Sequence, residues 1–187
     1  MQVLKRSFTV AQYHQMAEAG IFTPDERIEL IEGEVITVAA IGFRHAACVD
    51  RAAQLFFRKF GDKAIVRVQN PVQLGDRSEP QPDIALLHPK ADFYATQHPT
   101  AADIFLIVEV ADSSLEYDRQ VRVPLYAQQN VIEVWLIDIE HSALSVYQQP
   151  LSGKYQTVKA YGCDQCDQSL SCLAFPEISI AMADLLN

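Results

Sequence analysis

"IFLIVEVADSS", residues 104–114, is the stretch that decides the fold. A run this apolar, bounded by Asp103 and by Asp112-Ser113-Ser114, reads as a central strand covered on both faces. Strand parity puts Glu109 on one face with Phe105 and Ile107. A carboxylate buried there is costly unless it is paired, protonated or bound to a metal. A second carboxylate has a similar setting. In "QPDIALLHP", residues 81–89, Asp83 stands at the mouth of another short apolar strand. Two core strands that each carry a carboxylate suggest a shared partner.

The rest of the chain frames these two strands. Ser113 and Ser114 are natural N-caps, and Glu116 completes a capping-box pattern with Ser113, predicting a helix through about Gln129. "VIEVWLID", residues 131–138, is the next core strand. Upstream, Thr9 caps a helix through about Ala19 that Gly20 ends. "RIELIEGEVITV", residues 27–38, reads as a hairpin turning at Glu32-Gly33. "RHAACVDRAAQLFFRKFG", residues 44–61, reads as an amphipathic helix closed by Gly61. "AIVRVQNPVQL", residues 64–74, is a strand that Pro71 breaks or bulges. Downstream, "ALSVYQQPLSGKYQTVKAY", residues 143–161, is a hairpin turning near Ser152-Gly153, and "ISIAMADLL", residues 178–186, is a short closing element. A strand–helix–strand unit after a meander implies an α/β (α+β) fold, a mixed sheet with helices on its faces. With no linker or repeat, the expectation is one domain over residues 1–187.

Of the 187 residues, 49% are apolar and 21% charged, a globular composition with enough chain for a sizeable core. No apolar run is long enough to span a bilayer, and the N-terminus lacks an apolar signal region, so the expected compartment is the cytoplasm. A net charge of −9 argues against binding nucleic acid through a broad basic surface. An acidic centre neutralised by metal remains compatible with it. Cys163, Cys166 and Cys172 cluster in "GCDQCDQSLSC", with Cys48 far away. Four ligands are not locally available, so free thiols are expected rather than a structural zinc site.

If the strands of Asp83 and Glu109 pair, their carboxylates approach and repel unless a cation lies between them. Mg²⁺ or Mn²⁺ suits one or two carboxylates, backbone carbonyls and waters, with the carbonyl of Val110 as a natural third ligand. The competing reading is a structural ion pair with Arg67, Arg77 or Arg122.

Five segments, "ERIELIEGEV", "VQNPVQL", "SEPQPDIALLHP", "FLIVEVADSSLEYDRQVRVPLYAQQNVIEVWLID" and "PEISIAMADLL", together resemble the Uma-two family of restriction-endonuclease-like proteins in the PD-(D/E)XK nuclease superfamily. The resemblance runs from about Phe8 to the C-terminus. It implies a restriction-endonuclease-like core with an N-terminal β-hairpin and antiparallel C-terminal strands. It also implies a Mg²⁺-type site, DNA as substrate and a possible homodimer. Carried over, the PD is Pro82-Asp83 and the acidic residue of the second half is Glu109. The motif's lysine position is Ala111 here. A basic residue on the following helix takes its place in the family, in a pattern like "YDRxxK". This chain has "YDRQVR", which makes Arg122 that residue.

Arg122 supplies charge but, unlike Lys, cannot change protonation state near neutral pH. On sequence alone it also forms an i,i+4 pair with Asp118. Glu29 resembles the family's hairpin glutamate, with Glu32 and Glu34 as alternatives. His45 stands where the family often has His, and Gln69 precedes Asp83 by one strand; both are candidate substrate contacts. Glu79 reads as loop charge, Tyr126 and Trp135 as core. The leading expectation is a metal-dependent endonuclease with Asp83, Glu109, Arg122 and Glu29 as catalytic residues and Asp83, Glu109 and Val110 at the metal. The alternative is a catalytically reduced module that keeps the fold to bind nucleic acid or protein. A third reading is a zinc- or redox-responsive protein built on the cysteines.

Overall fold

A computed structural model describes residues 5–23, 25–162, 164 and 168–186. Helix α1 (Val10–Glu18) starts at Thr9, whose hydroxyl accepts from the Gln12 amide while the Gln12 side chain accepts from the Thr9 amide. This closed capping box fixes where the helix begins. The hairpin follows as β1 (Ile28–Ile31) and β2 (Glu34–Thr37). Its turn puts Glu32 at φ 50° and Gly33 at φ 85°, the left-handed pair that a two-residue hairpin loop requires. Helix α2 (Phe43–Phe60) buries Cys48, Val49, Ala52, Ala53, Leu55, Phe56 and Phe60. That stripe is the apolar face expected from helical spacing.

The central sheet has six strands: β3 (Ile65–Val68), β4 (Ile84–Leu87), β5 (Ile104–Ala111), β6 (Glu133–Asp138), β7 (Ala143–Leu151) and β8 (Lys154–Tyr161). They lie in sequence order, antiparallel except for the parallel pair β5–β6. A parallel pair needs a crossover. Here it is made by α3 (Leu115–Tyr117), a π-helical turn (Asp118–Arg122) and α4 (Val123–Gln128). The chain closes with β9 (Ser169–Leu170), β10 (Ile180–Ala181) and α5 (Met182–Leu186). This is the mixed sheet with flanking helices, N-terminal hairpin and C-terminal strand pair that the sequence implies.

One face of the sheet packs on α2 and α5 through Leu86, Leu106, Val108, Val110, Trp135 and Ile137. Phe56 meets Trp135 edge-on, with ring centroids 6.3 Å apart. The other face packs Ala85, Ile107, Ala111 and Leu136 on Val123, Leu125 and Tyr126 of the crossover. A small third cluster joins Val10 and Tyr13 of α1 to Leu30 of the hairpin.

Three local expectations need correction. Phe105 does not share a face with Ile107. A β-bulge, in which Leu86 pairs with Leu106 but Leu87 with Ile104, skips Phe105 and moves it to the α2 side, where it packs on His88 and Phe175. The capping box at Ser113 and Glu116 does not form. Ser114 is the N-cap, and its hydroxyl donates to Asp118 at 2.6 Å instead of capping the helix. The helix is also not regular α throughout. Pro124 has no N–H for the carbonyl four residues back and its ring crowds that carbonyl, and the wider π spacing immediately precedes it, closed by the Val123 amide on the Asp118 carbonyl. Of the cysteines, Cys48 and Cys172 are buried free thiols. Cys163 and Cys166 lie outside the described residues.

Candidate active site

The pairing of β4 with β5 builds the site. Ile84 is opposite Val108, so Asp83, one residue before the strand, falls opposite Glu109 on the same face. The Asp83 amide donates to Glu109 Oε2 at 3.3 Å, and the Val110 amide donates to Asp83 Oδ2 at 2.9 Å. Each carboxylate is thus held by the backbone next to the other. Glu29 reaches the same place from the hairpin. Its neighbour Leu30 faces α1, so strand alternation turns Glu29 the other way, and it is 2% exposed.

Arg122 ties these strands together. Its Nη2 donates to both oxygens of Glu29, at 2.8 and 2.9 Å, and its Nη1 to Glu109 Oε1 at 3.0 Å. Its Nε lies 3.4 Å from Asp118 Oδ1. The Tyr126 hydroxyl donates to the same Glu109 oxygen. The stripe Asp118, Arg122 and Tyr126, four residues apart, therefore faces Glu109. On the far side, Asp83 accepts from Gln69 Nε2 and pairs with His45 Nε2, each at 3.1 Å. His45 lies in the first turn of α2, and Gln69 follows β3 with φ 51°. Glu29, His45, Asp83, Glu109, Val110, Asp118 and Arg122 line a cavity of about 430 Å³. Gln69 does not line it; it acts on Asp83 from behind.

The electrostatics are lopsided. Glu29, Glu109 and Asp118 all contact the Arg122 guanidinium, with Asp83 beside Glu109. Burial pushes the Glu109 carboxyl up to about 8, against the opposing pull of Arg122, and Asp83 and Asp118 add to the rise. Burial also raises Asp118, with Ser114 and Arg122 working against it. The bond to Asp83 raises His45. Burial alone would pull Arg122 down, yet the surrounding acidic groups hold it well above its ordinary value, so it stays charged.

The donor set fits a hard divalent cation. Asp83 Oδ1 accepts one hydrogen bond and Glu109 Oε2 accepts one, which leaves each a lone pair. The excess of carboxylates over cationic groups supplies the charge to hold it. Residues not singled out from the sequence complete the pocket: Arg27, Gln81 and Tyr117 line it. Gln81 donates to the Ile28 carbonyl at 3.1 Å, beside Glu29. Only its place in "EPQPD", two residues before Asp83, could have pointed to it. The Tyr117 hydroxyl and His45 Nδ1 are buried with no hydrogen-bond partner among the described residues. Glu32 lies exposed in the hairpin turn and Glu34 pairs with Lys5, so neither enters the site. Glu79 is not loop charge. It is 4% exposed and bonds His14.

Comparison with known proteins agrees with this architecture. The chain belongs to the Uma2 family, described as "Putative restriction endonuclease", whose profile matches residues 10–183. Its fold is similar to the crystal structure of a "putative nuclease belonging to DUF820" from Anabaena variabilis, with a TM-score of 0.74 and 17% identity over 95% of this chain and 97% of that one. No protein of curated function matches it. Among the described residues, no helix is long and apolar enough to cross a membrane.

Proposed function

We propose that this protein is a metal-dependent endonuclease that hydrolyses phosphodiester bonds in DNA. The observation that carries the reading is the pairing of Asp83 with Glu109 at one end of a cavity lined by excess negative charge. Family membership supports the nuclease class. In this reading Asp83, Glu109 and the main-chain carbonyl of Val110 hold Mg²⁺ or Mn²⁺. The bound ion would activate a water and offset charge on a phosphate oxygen.

The chain's own residues do the positioning. Arg122 fixes the Glu109 and Glu29 carboxylates, and its guanidinium at the cavity wall supplies constant positive charge without carrying a proton. Tyr126 holds the oxygen of Glu109 that faces the crossover. This leaves Glu109 Oε2 for the cavity side. His45 and Gln69 orient Asp83. Glu29, held by both its oxygens, is an assisting carboxylate.

A second reading has its own observation. Among the described residues no lysine lines the cavity, and Arg122, the basic residue at the motif position, is committed to three carboxylates. That favours a binding module that keeps the fold and has lost turnover. Incubation of the purified protein with supercoiled plasmid DNA and Mg²⁺ or Mn²⁺ separates the two. Nicking or linearisation that disappears in Asp83→Asn supports the endonuclease. Metal binding at Asp83 with no cleavage in either ion supports the module.

A further inference from the structure

We infer that His14, Glu79 and His98 form a second metal site, selective for a d-block divalent cation of the Zn²⁺ type and separate from the carboxylate site. The three side chains come from distant parts of the chain: α1, the segment that precedes β4, and the loop between β4 and β5. One ligand atom from each lies within 4.8 Å of the other two. His14 Nε2 stands 2.9 Å from both oxygens of Glu79. The imidazoles of His14 and His98 meet edge-on with centroids 6.3 Å apart.

Tetrahedral zinc, with bonds of about 2.0–2.1 Å, sets ligand atoms roughly 3.3 Å apart. The His14–Glu79 contact at 2.9 Å lies just inside that spacing, and no pair in the cluster exceeds it by more than about 1.5 Å.

The donor chemistry selects the ion. Two imidazole nitrogens and one carboxylate suit Zn²⁺ and its neighbours, whereas Mg²⁺ prefers oxygen throughout. Glu79 is 4% exposed, and among the described residues His14 is the hydrogen-bond partner of its carboxylate. A buried anion faced by two imidazoles is a net negative pocket when both rings are neutral. Burial, with Arg67 and His14 nearby, keeps His98 on the neutral side against the pull of Glu79. Arg67 is a nearby fixed positive charge that opposes a cation there.

The consequence is mechanical. Glu79 bridges Leu30 of β1, and its amide donates to the Leu30 carbonyl at 2.7 Å. An ion on Glu79 would clamp α1 and the 89–100 loop against the strand that presents Glu29. Three protein ligands leave a fourth position, and the half-exposed His14 opens it to water.

The test uses chelator-stripped full-length protein and Co²⁺ or Zn²⁺ alone. The Asp83→Asn variant, with the carboxylate site disabled, should still bind one equivalent. Its Co²⁺ complex should show tetrahedral d–d bands and no thiolate charge-transfer band. His98→Ala should lose this binding at least tenfold while keeping the metal-free melting temperature close to that of the parent; His14→Ala should lose it likewise, with a lower metal-free melting temperature because it is the partner of the buried Glu79. His98 makes no hydrogen bond within the cluster, so its truncation isolates ligation from folding. Failure of Asp83→Asn to bind either ion overturns the inference. So does binding that survives both histidine substitutions, or that depends on Cys163 and Cys166. The carboxylate site does not enter the readout, so this outcome is independent of the endonuclease reading.

Discussion

Arg122 gives two hydrogen bonds to Glu29, at 2.8 and 2.9 Å, and one to Glu109 at 3.0 Å, so a single guanidinium joins the N-terminal hairpin to the central strand. The contact spans 93 residues of sequence on one side and 13 on the other. It explains how an isolated two-stranded hairpin, marginal by itself, holds a carboxylate in the site.

Removing the guanidinium should therefore loosen the fold as well as the site. Arg122→Ala leaves several buried carboxylates without their counter-charge, and loss of one partner of a buried pair typically costs about 3–5 kcal/mol. Urea denaturation of the metal-free protein measures this. Arg122→Lys should recover part of the stability but not the two-bonded grip on Glu29, because Lys lacks the planar fork. A cost of well under 1 kcal/mol would mark Arg122 as a surface ion pair of the ordinary kind.

The Glu109 carboxyl gives a pH dependence with a definite sign. Its folded-state pKa, about 8, is raised from the ordinary 4.5. The folded state thus binds this proton more tightly than the unfolded chain. The associated stability is fully present below about pH 4.5 and is lost as pH rises toward about 8. His45, raised by its bond to Asp83, adds stability of the same sign, lost above its ordinary 6.5. Melting of the metal-free protein should fall across this window, and Glu109→Gln should flatten the fall. A cation held in the proposed site would displace the Glu109 proton, so Mn²⁺-induced stabilisation should grow over the same range. A Mn²⁺ shift that is independent of pH would detach Glu109 from the metal.

Tyr126→Phe removes one hydroxyl from a buried carboxylate and nothing else. Above about pH 8, where Glu109 is ionised, a hydrogen bond to it contributes about 1.5–3 kcal/mol, so a loss in that range is expected in urea unfolding there, and a smaller one at neutral pH. A neutral result would mean that the Tyr126 hydroxyl does not hold Glu109.

The hairpin that carries Glu29 depends on its turn. Gly33 has φ 85°, and a Cβ there would sit 2.6 Å from the Ser7 Cβ and 3.0 Å from the Phe8 carbonyl oxygen. Gly33→Ala should destabilise by more than about 1 kcal/mol, from both the left-handed backbone and the clash. Calorimetry decides it; a neutral substitution would show that the hairpin is not clamped against residues 7 and 8.

Much of this arrangement is legible in the sequence where one residue type breaks a strong pattern. Glu109 stands out inside "IFLIVEVA", and Asp83 stands out before "IALL", so their approach follows once the two strands pair. Arg122 follows from helical spacing and from the family pattern. The missed features depend on geometry that has no local signature. The bulge at Phe105 is invisible because an apolar residue is equally at home on either covered face. The π-turn has no sequence signature beyond Pro124, which follows it. Asp118 reads as a surface partner of Arg122 because burial of the crossover depends on the hairpin docking over it. Glu79 meets His14 and His98 across separations of 65 and 19 residues, and no periodicity connects them.

The central claim is that Asp83 and Glu109 share a cation. Anomalous diffraction from crystals soaked in Mn²⁺ tests it most directly. The account predicts a peak between the two carboxylates, about 2.0–2.6 Å from an oxygen of each, and its loss in Asp83→Asn crystals. A peak confined to His14, Glu79 and His98, or no peak where Asp83 and Glu109 face each other, would contradict it.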